Sequence, residues 1–153
     1  MTDQYRFFEY QNYTLSGKKA SQEELDSIGE RFKFIDWITD YQDLLKTVNI
    51  IGASFELSEI SDQSGMGVDM EWMAPADQID EAFNFYPGLL VVEKGFIPVG
   101  SCLKGSGDPY FLRVEDKQWM IYRVLHDFDS FSQKMVEFVS TLDVLLEIGT
   151  QYP

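Results

Sequence analysis

Apolar positions keep a helical period through the first third of the chain, switch to alternation, and gather into longer runs in the second half. The stretch through Leu15-Ser16-Gly17-Lys18-Lys19 reads as an irregular or short-strand lead-in. Ser21-Gln22-Glu23-Glu24 predicts a helix start: the Ser hydroxyl can take the amide three residues on, Glu24 can reach back, and acids suit the first turn. Leu25, Ile28 and Phe32 mark the buried stripe of that helix. Trp37, Tyr41, Leu44, Leu45 and Val48 predict a second one, with Asp36, Asp40 and Asp43 as a separate acidic row at i, i+4 and i+7.

Beyond Gly52 the period becomes two. Phe55 and Leu57 alternate with Glu56 and Ser58, and Met66, Val68, Met70 and Trp72 alternate with Gly67, Asp69 and Glu71, the pattern of paired antiparallel strands. Pro75 opens a short helix with Ile79, Ala82 and Phe83 on its apolar side, and Pro87-Gly88 stops it. Leu89-Leu90-Val91-Val92 and Phe96-Ile97-Pro98-Val99 are apolar runs in a strand-rich half, and Pro98, lacking an amide donor, argues against a central position for its run. Tyr110 to Glu115 and Trp119 to Leu125 flank the polar tetrad Glu115-Asp116-Lys117-Gln118, which reads as a hairpin. Ser130-Phe131-Ser132-Gln133 reads as a second capping box. It opens a long closing helix with Phe131, Met135, Phe138, Val139, Leu142 and Leu146 on its apolar side and Gly149 as its stop. The expected architecture is α+β: a single domain spanning 1–153, a largely antiparallel sheet of about five to six strands, N-terminal helices, and a long C-terminal helix packed on the sheet.

At 153 residues and 44% hydrophobic content the chain suits one core rather than two, and its 15% aromatic share sets it apart from disordered sequences. No apolar run approaches the roughly 20 residues of a membrane-spanning helix, and MTDQYRFFEY lacks a basic segment followed by an apolar one. A soluble, cytoplasmic protein is therefore expected, in which the sequon Asn12-Tyr13-Thr14 carries no weight. Cys102, the single cysteine, can form neither an internal disulfide nor a cysteine-based zinc cage.

Charge changes the picture most. The net charge is −14, and residues 35–88 carry eleven acids against one base, Lys46. Residues 1–34 carry six acids and five bases, and residues 89–153 nine and six, so the imbalance sits in the middle third. Nucleic acid is a poor direct ligand for such a chain, because binding it demands clustered Lys and Arg to replace condensed counterions. Acidity of this kind keeps a protein soluble, and its segregation also fits a docking face for a basic protein.

Catalytic constellations are scarce. His126 is the only histidine, at a strand end beside Asp127 and Asp129, so any Ser-His-Asp or Cys-His device must use it. Cys102 lacks a helix start or a basic cluster to lower its pKa. A calcium loop beginning at Asp62 would put Met66 and Met73 at ligand positions, and Lys104 to Asp108 lacks the Gly-Lys-Ser/Thr run of a phosphate loop. Asp127-Phe128-Asp129 reads as a polar turn. No metal, cofactor or catalytic residue is expected.

One segment carries a likeness. Phe96-Ile97-Pro98-Val99-Gly100 is followed by Gly105-Ser106-Gly107-Asp108-Pro109-Tyr110-Phe111-Leu112, then Trp119 to His126, then the aromatic segment from Ser130. This order resembles the SUKH superfamily of yeast cell-wall assembly regulators and bacterial immunity proteins. There an apolar strand ends near I/F-P-I/V-G and is followed by a G-x-G-D turn, two strands and a final helix bearing a Phe. Ile35 to Leu45 is similar to that family's P-x-D-Y-x-x-F-L helix, with the usual Pro absent. In the turn, Gly105 and Gly107 permit positive φ, Asp108 can accept backbone amides within its own loop, and Pro109 fixes the direction into the next strand.

What the resemblance implies, together with the acidity, is a non-enzymatic immunity protein that neutralises a basic, nuclease-type bacterial toxin by occlusion. The expected steering residues are Asp36, Asp40, Asp43, Asp69, Glu71, Asp77, Asp80 and Glu81. The alternative is a regulatory protein-interaction module of the cell-wall-regulator type. A third reading, from a different class, is a small-molecule binder or enzyme using Asp108 and His126.

Overall fold

The computed structural model describes residues 15–57, 67–103 and 108–151. The sequon, Asp62 to Met66 of the calcium-loop stretch, and Gly105 and Gly107 lie outside the described residues.

The capping box at Ser21 opens α1 (Gln22–Arg31) as expected. The Ser21 hydroxyl accepts the Glu24 amide at 3.2 Å, and Glu24 Oε1 accepts the Ser21 amide at 2.9 Å. Helix α2 (Ile38–Thr47) buries Ile38, Tyr41, Leu44 and Leu45. The alternating residues become β1 (Ser54–Leu57) and β2 (Val68–Trp72), which pair antiparallel. Helix α3 (Pro75–Asn84) starts at its Pro, as the sequence predicts, and buries Gln78 and Ala82. The lead-in makes one bridge, Lys18 to Ile51.

Next come α4 (Gly88–Val91), a 3-10 turn (Val92–Lys94), β3 (Ile97–Cys102), β4 (Tyr110–Glu115), β5 (Gln118–Val124), a second 3-10 turn (Gln133–Met135), β6 (Val136–Thr141) and α5 (Leu142–Gln151). The six strands form one antiparallel sheet in the order β1-β2-β3-β4-β5-β6. Helix α5 touches β1 as well as β5 and β6, so the sheet curls until one helix reaches both ends of the strand order. The hairpin between β4 and β5 turns on Asp116 and Lys117, both at positive φ (48° and 65°), the mark of a type I′ turn.

Each face of the sheet has a core. Leu112, Ile121 and Val139 face the larger one, shared with α1, α2 and α5. Phe111 and Val124 face a smaller one with Val91, Phe96 and Met135. On that side Tyr122 stacks edge-on against Phe96 and Phe138, at 5.4 and 5.7 Å between ring centroids.

Three expectations are corrected. The long C-terminal helix does not form: residues 136–141 are strand β6, and only the short α5 is helical, running through Gly149 to Gln151. Val136, Phe138, Val139 and Thr141 are residues that favour strands, and pairing with them satisfies the edge of β5. Ser130 opens no helix; Ser132 instead accepts the Lys134 amide at 3.3 Å in the 3-10 turn. Leu89 to Val92 is helical rather than extended, since Gly88 lets α4 press against α3 where any Cβ would lie 1.9 Å from the Glu81 carbonyl oxygen. Pro98 does sit in a central strand. It escapes the usual cost because β2 pairs only with Gly100 to Cys102, beyond the proline.

One buried polar tie joins these elements. The Tyr41 hydroxyl donates to Gln78 Oε1 at 2.8 Å, and Gln78 Nε2 donates to the Met73 carbonyl at 2.9 Å. Burial pushes the Tyr41 hydroxyl above its ordinary pKa, so it remains a donor. Tyr41→Phe is expected to lower unfolding stability by about 1–2 kcal/mol, because it leaves the buried Gln78 oxygen without that donor. Gly88→Ala is expected to cost about 1–3 kcal/mol through displacement of α4 from α3. Urea denaturation measures both, and a variant as stable as the parent in either case contradicts the packing described.

Candidate functional surface

The eight acids predicted to steer a partner fall on three elements. Asp36 precedes α2, and Asp40 and Asp43 lie on it, with Asp36 exposed and the other two half-buried. Asp69 and Glu71 lie on β2, opposite Glu56 and Ser54 of β1. Asp77 and Asp80 lie on the exposed side of α3, and Glu81 is half-buried at the margin of the face that buries Gln78 and Ala82.

The fold brings some of them together. Glu71 and Asp77 line one open cleft of about 430 Å³, with Ser16, Lys18, Gly52 and Ser101 among its other walls. Its described lining holds neither histidine nor cysteine. Asp80 and Glu81 are adjacent on the next turn of α3, where Asp80 also accepts the Asn84 amide at 2.6 Å. Burial first, and the charge of Asp80 second, raise the Glu81 carboxyl above its ordinary value. The buried tie from Tyr41 to Gln78 links the helix of the α2 row to the helix of the α3 acids.

Asp108 and Pro109, at the start of β4, act structurally. Asp108 is buried, and its Oδ1 accepts the His126 backbone amide at 3.0 Å and meets His126 Nδ1. Pro109 is buried beside it, and its carbonyl accepts the Val124 amide at 3.1 Å. The carboxylate thus fastens the end of β5 to the start of β4. Among the described residues, no three His, Cys, Asp or Glu side chains converge as a metal site would require. No helix among them is long and apolar enough to cross a membrane.

Two features escaped the sequence reading. Arg123 on β5 is 2% exposed, and its guanidinium donates to the Gly67 carbonyl at 2.6 Å, lies over the Tyr110 ring at 5.4 Å and sits 3.8 Å from Glu137. Its place in an otherwise apolar run, Trp119 to Val124, is the available signal of a buried cation. The other feature is an exposed aromatic corner. Phe85, Tyr86 and Leu89 are 54%, 57% and 40% exposed around the turn from α3 to α4, and Phe34, 51% exposed, packs on Phe83 at 6.5 Å between ring centroids. Two consecutive aromatics, Phe85 and Tyr86, directly before the Pro87-Gly88 stop are its signal in the sequence.

Compared with models of protein families, with curated proteins and with solved structures, the chain matches none.

Two outcomes follow for the residues described. Asp108→Ala should destabilise by about 1–3 kcal/mol through the orphaned His126 amide, and His126→Ala by well under about 1 kcal/mol because the ring is exposed; equal losses in urea melts would contradict the fastening role. For Glu81, the raised folded pKa means that stability is full below the ordinary carboxylate value of 4.5 and is lost as pH rises through the raised one. Glu81→Gln should therefore raise Tm at neutral pH, on the order of 1 °C, with the gain vanishing on acidification below that ordinary value. A gain that grows toward acid pH has the wrong sign.

Proposed function

We propose that this chain is an immunity-type protein of the SUKH kind, which binds a basic bacterial toxin and neutralises it by covering its substrate cleft. The observation that carries this reading is the segregated charge: residues 35–88 carry eleven acids and one base, and their described part forms α2, β1, β2 and α3, with β1 and β2 at one end of the strand order. Nuclease-type toxins carry basic clefts, and a negative face opposed to such a cleft accelerates encounter and fixes orientation. Asp36, Asp40, Asp43, Asp69, Glu71, Asp77, Asp80 and Glu81 supply that field. The chain performs no bond-making in this mechanism. Asp108 and His126 act as a tether between strands, and Asp108 and Pro109 serve the scaffold.

Co-expression with a toxin domain encoded beside the gene should restore growth of intoxicated cells. In stopped-flow mixing, the association rate should fall by about tenfold or more between low and physiological salt. A rate indifferent to ionic strength removes the acidic-face mechanism, and turnover of any substrate by the purified protein alone removes the non-enzymatic reading.

A further inference from the structure

Among the described residues seven large hydrophobic side chains are exposed, and four of them, Phe34, Phe85, Tyr86 and Leu89, belong to the corner where α1, α3 and α4 meet. Scattered apolar residues need no explanation, whereas a cluster with polar edges marks a contact surface. This cluster is held on a firm frame. The Leu89 amide donates to the Phe85 carbonyl at 3.0 Å, the Leu90 amide to the Pro87 carbonyl at 2.9 Å, and Gly88 is pressed against the α3 backbone. Aromatic side chains presented on such a frame lose little rotamer freedom when covered, which is what makes them binding anchors.

Charge decides what covers them. Asp80 and Glu81 stand on the last turns of α3, directly before the corner, with Asp80 exposed. The cations at the end of α1 and just after it are engaged: Arg31 lies over the Phe83 ring at 4.6 Å, and Lys33 pairs with Glu30 at 3.1 Å. A second copy of the chain would set acids against acids, each copy at −14, and an anionic lipid surface would be repelled for the same reason. A protein segment that alternates cationic and apolar side chains satisfies both parts of the corner at once.

We infer that the corner of Phe34, Phe85, Tyr86 and Leu89, edged by Asp80 and Glu81, is the anchoring point for a cationic, apolar segment on the surface of a protein partner. This rests on the acidic-face reading above and narrows it: the wider acidic face brings the partner in, and this corner holds it. The elevated Glu81 carboxyl is consistent with a site that gains from a neighbouring cation.

The test uses the full chain and two labelled peptides of equal positive charge, one of lysine, leucine and tryptophan, the other of lysine and glycine, read by fluorescence anisotropy. The apolar cationic peptide should bind the parent protein at least about tenfold more tightly than the lysine-glycine peptide. Phe85→Ser/Tyr86→Ser should remove that advantage, with Tyr86→Ser alone giving a smaller loss. Both side chains are more than half exposed, so the variants should melt within a few degrees of the parent. Asp36→Asn/Asp40→Asn/Asp43→Asn should change the affinity by less than about threefold. An unchanged affinity in the double serine variant overturns the corner. If the α2 variant loses binding instead, the acidic face stands and the anchor is elsewhere. Binding of neither peptide at low salt undoes the acidic-face reading itself. A concentration-dependent dimer that the double serine variant abolishes assigns the corner to a second copy and overturns the proposal.

Discussion

A phenol with no access to water must find a partner inside the protein, and this requirement at Tyr41 sets much of the architecture. Its hydroxyl meets Gln78, whose amide in turn meets the Met73 carbonyl, so α2, α3 and the end of β2 share one chain of hydrogen bonds. Neither helix can rotate about its axis without breaking it. Because Tyr41 and Gln78 point inward, the acids at other positions of the two helices are turned to the surface or to its margin. A hydrogen bond in the core thereby fixes where the charge of the molecule appears.

The parts of this arrangement that were legible in the sequence are those encoded within a few residues. The Ser21 box, the Pro75 helix start and the Asp116-Lys117 hairpin each rest on a local backbone requirement, and each forms as read. The misreadings come where a distant partner decides. Met135, Val139, Leu142 and Leu146 satisfy a helical period, yet residues 136–141 are strand because β5 offers them an edge, and a bulge opposite Ile121 and Tyr122 leaves Val139 and Ser140 both buried. Pro98 reads as an edge residue, and its actual freedom depends on where β2 stops, which its own neighbours do not encode. Of the candidate surface, acidity was plain from counting. That Glu71 and Asp77 share a cleft was not, because the join passes through the turn from β2 to α3.

The aromatic corner and the acidic segment are consequences of one another in packing terms. Gly88 brings α4 so close to α3 that the connecting Phe85 and Tyr86 have no room beneath them and are left outside. The same helix carries Asp77 and Asp80 on its exposed side and Glu81 at the margin of its buried face. Exposed apolar side chains and negative charge therefore sit side by side on α3 and the turn that follows it.

The net charge understates how negative this exterior is, because several bases are already engaged. Arg123 is enclosed in the sheet between Gly67, Tyr110 and Glu137. Arg113 lies 4.9 Å from the Phe96 ring and pairs with Glu115 at 3.1 Å, Lys94 lies over Phe131, and Arg31 over Phe83. A guanidinium resting on a ring or walled inside a sheet contributes less to the outward field than one extended into water, since its position is set by the contact it makes. Within residues 35–88 only Lys46 offers compensation. The repulsion among the acids of that segment is a standing cost that the fold carries. The fold tolerates this cost because the packing under the acids is an apolar core joined by the Tyr41–Gln78 hydrogen bond, and does not depend on the charges above it.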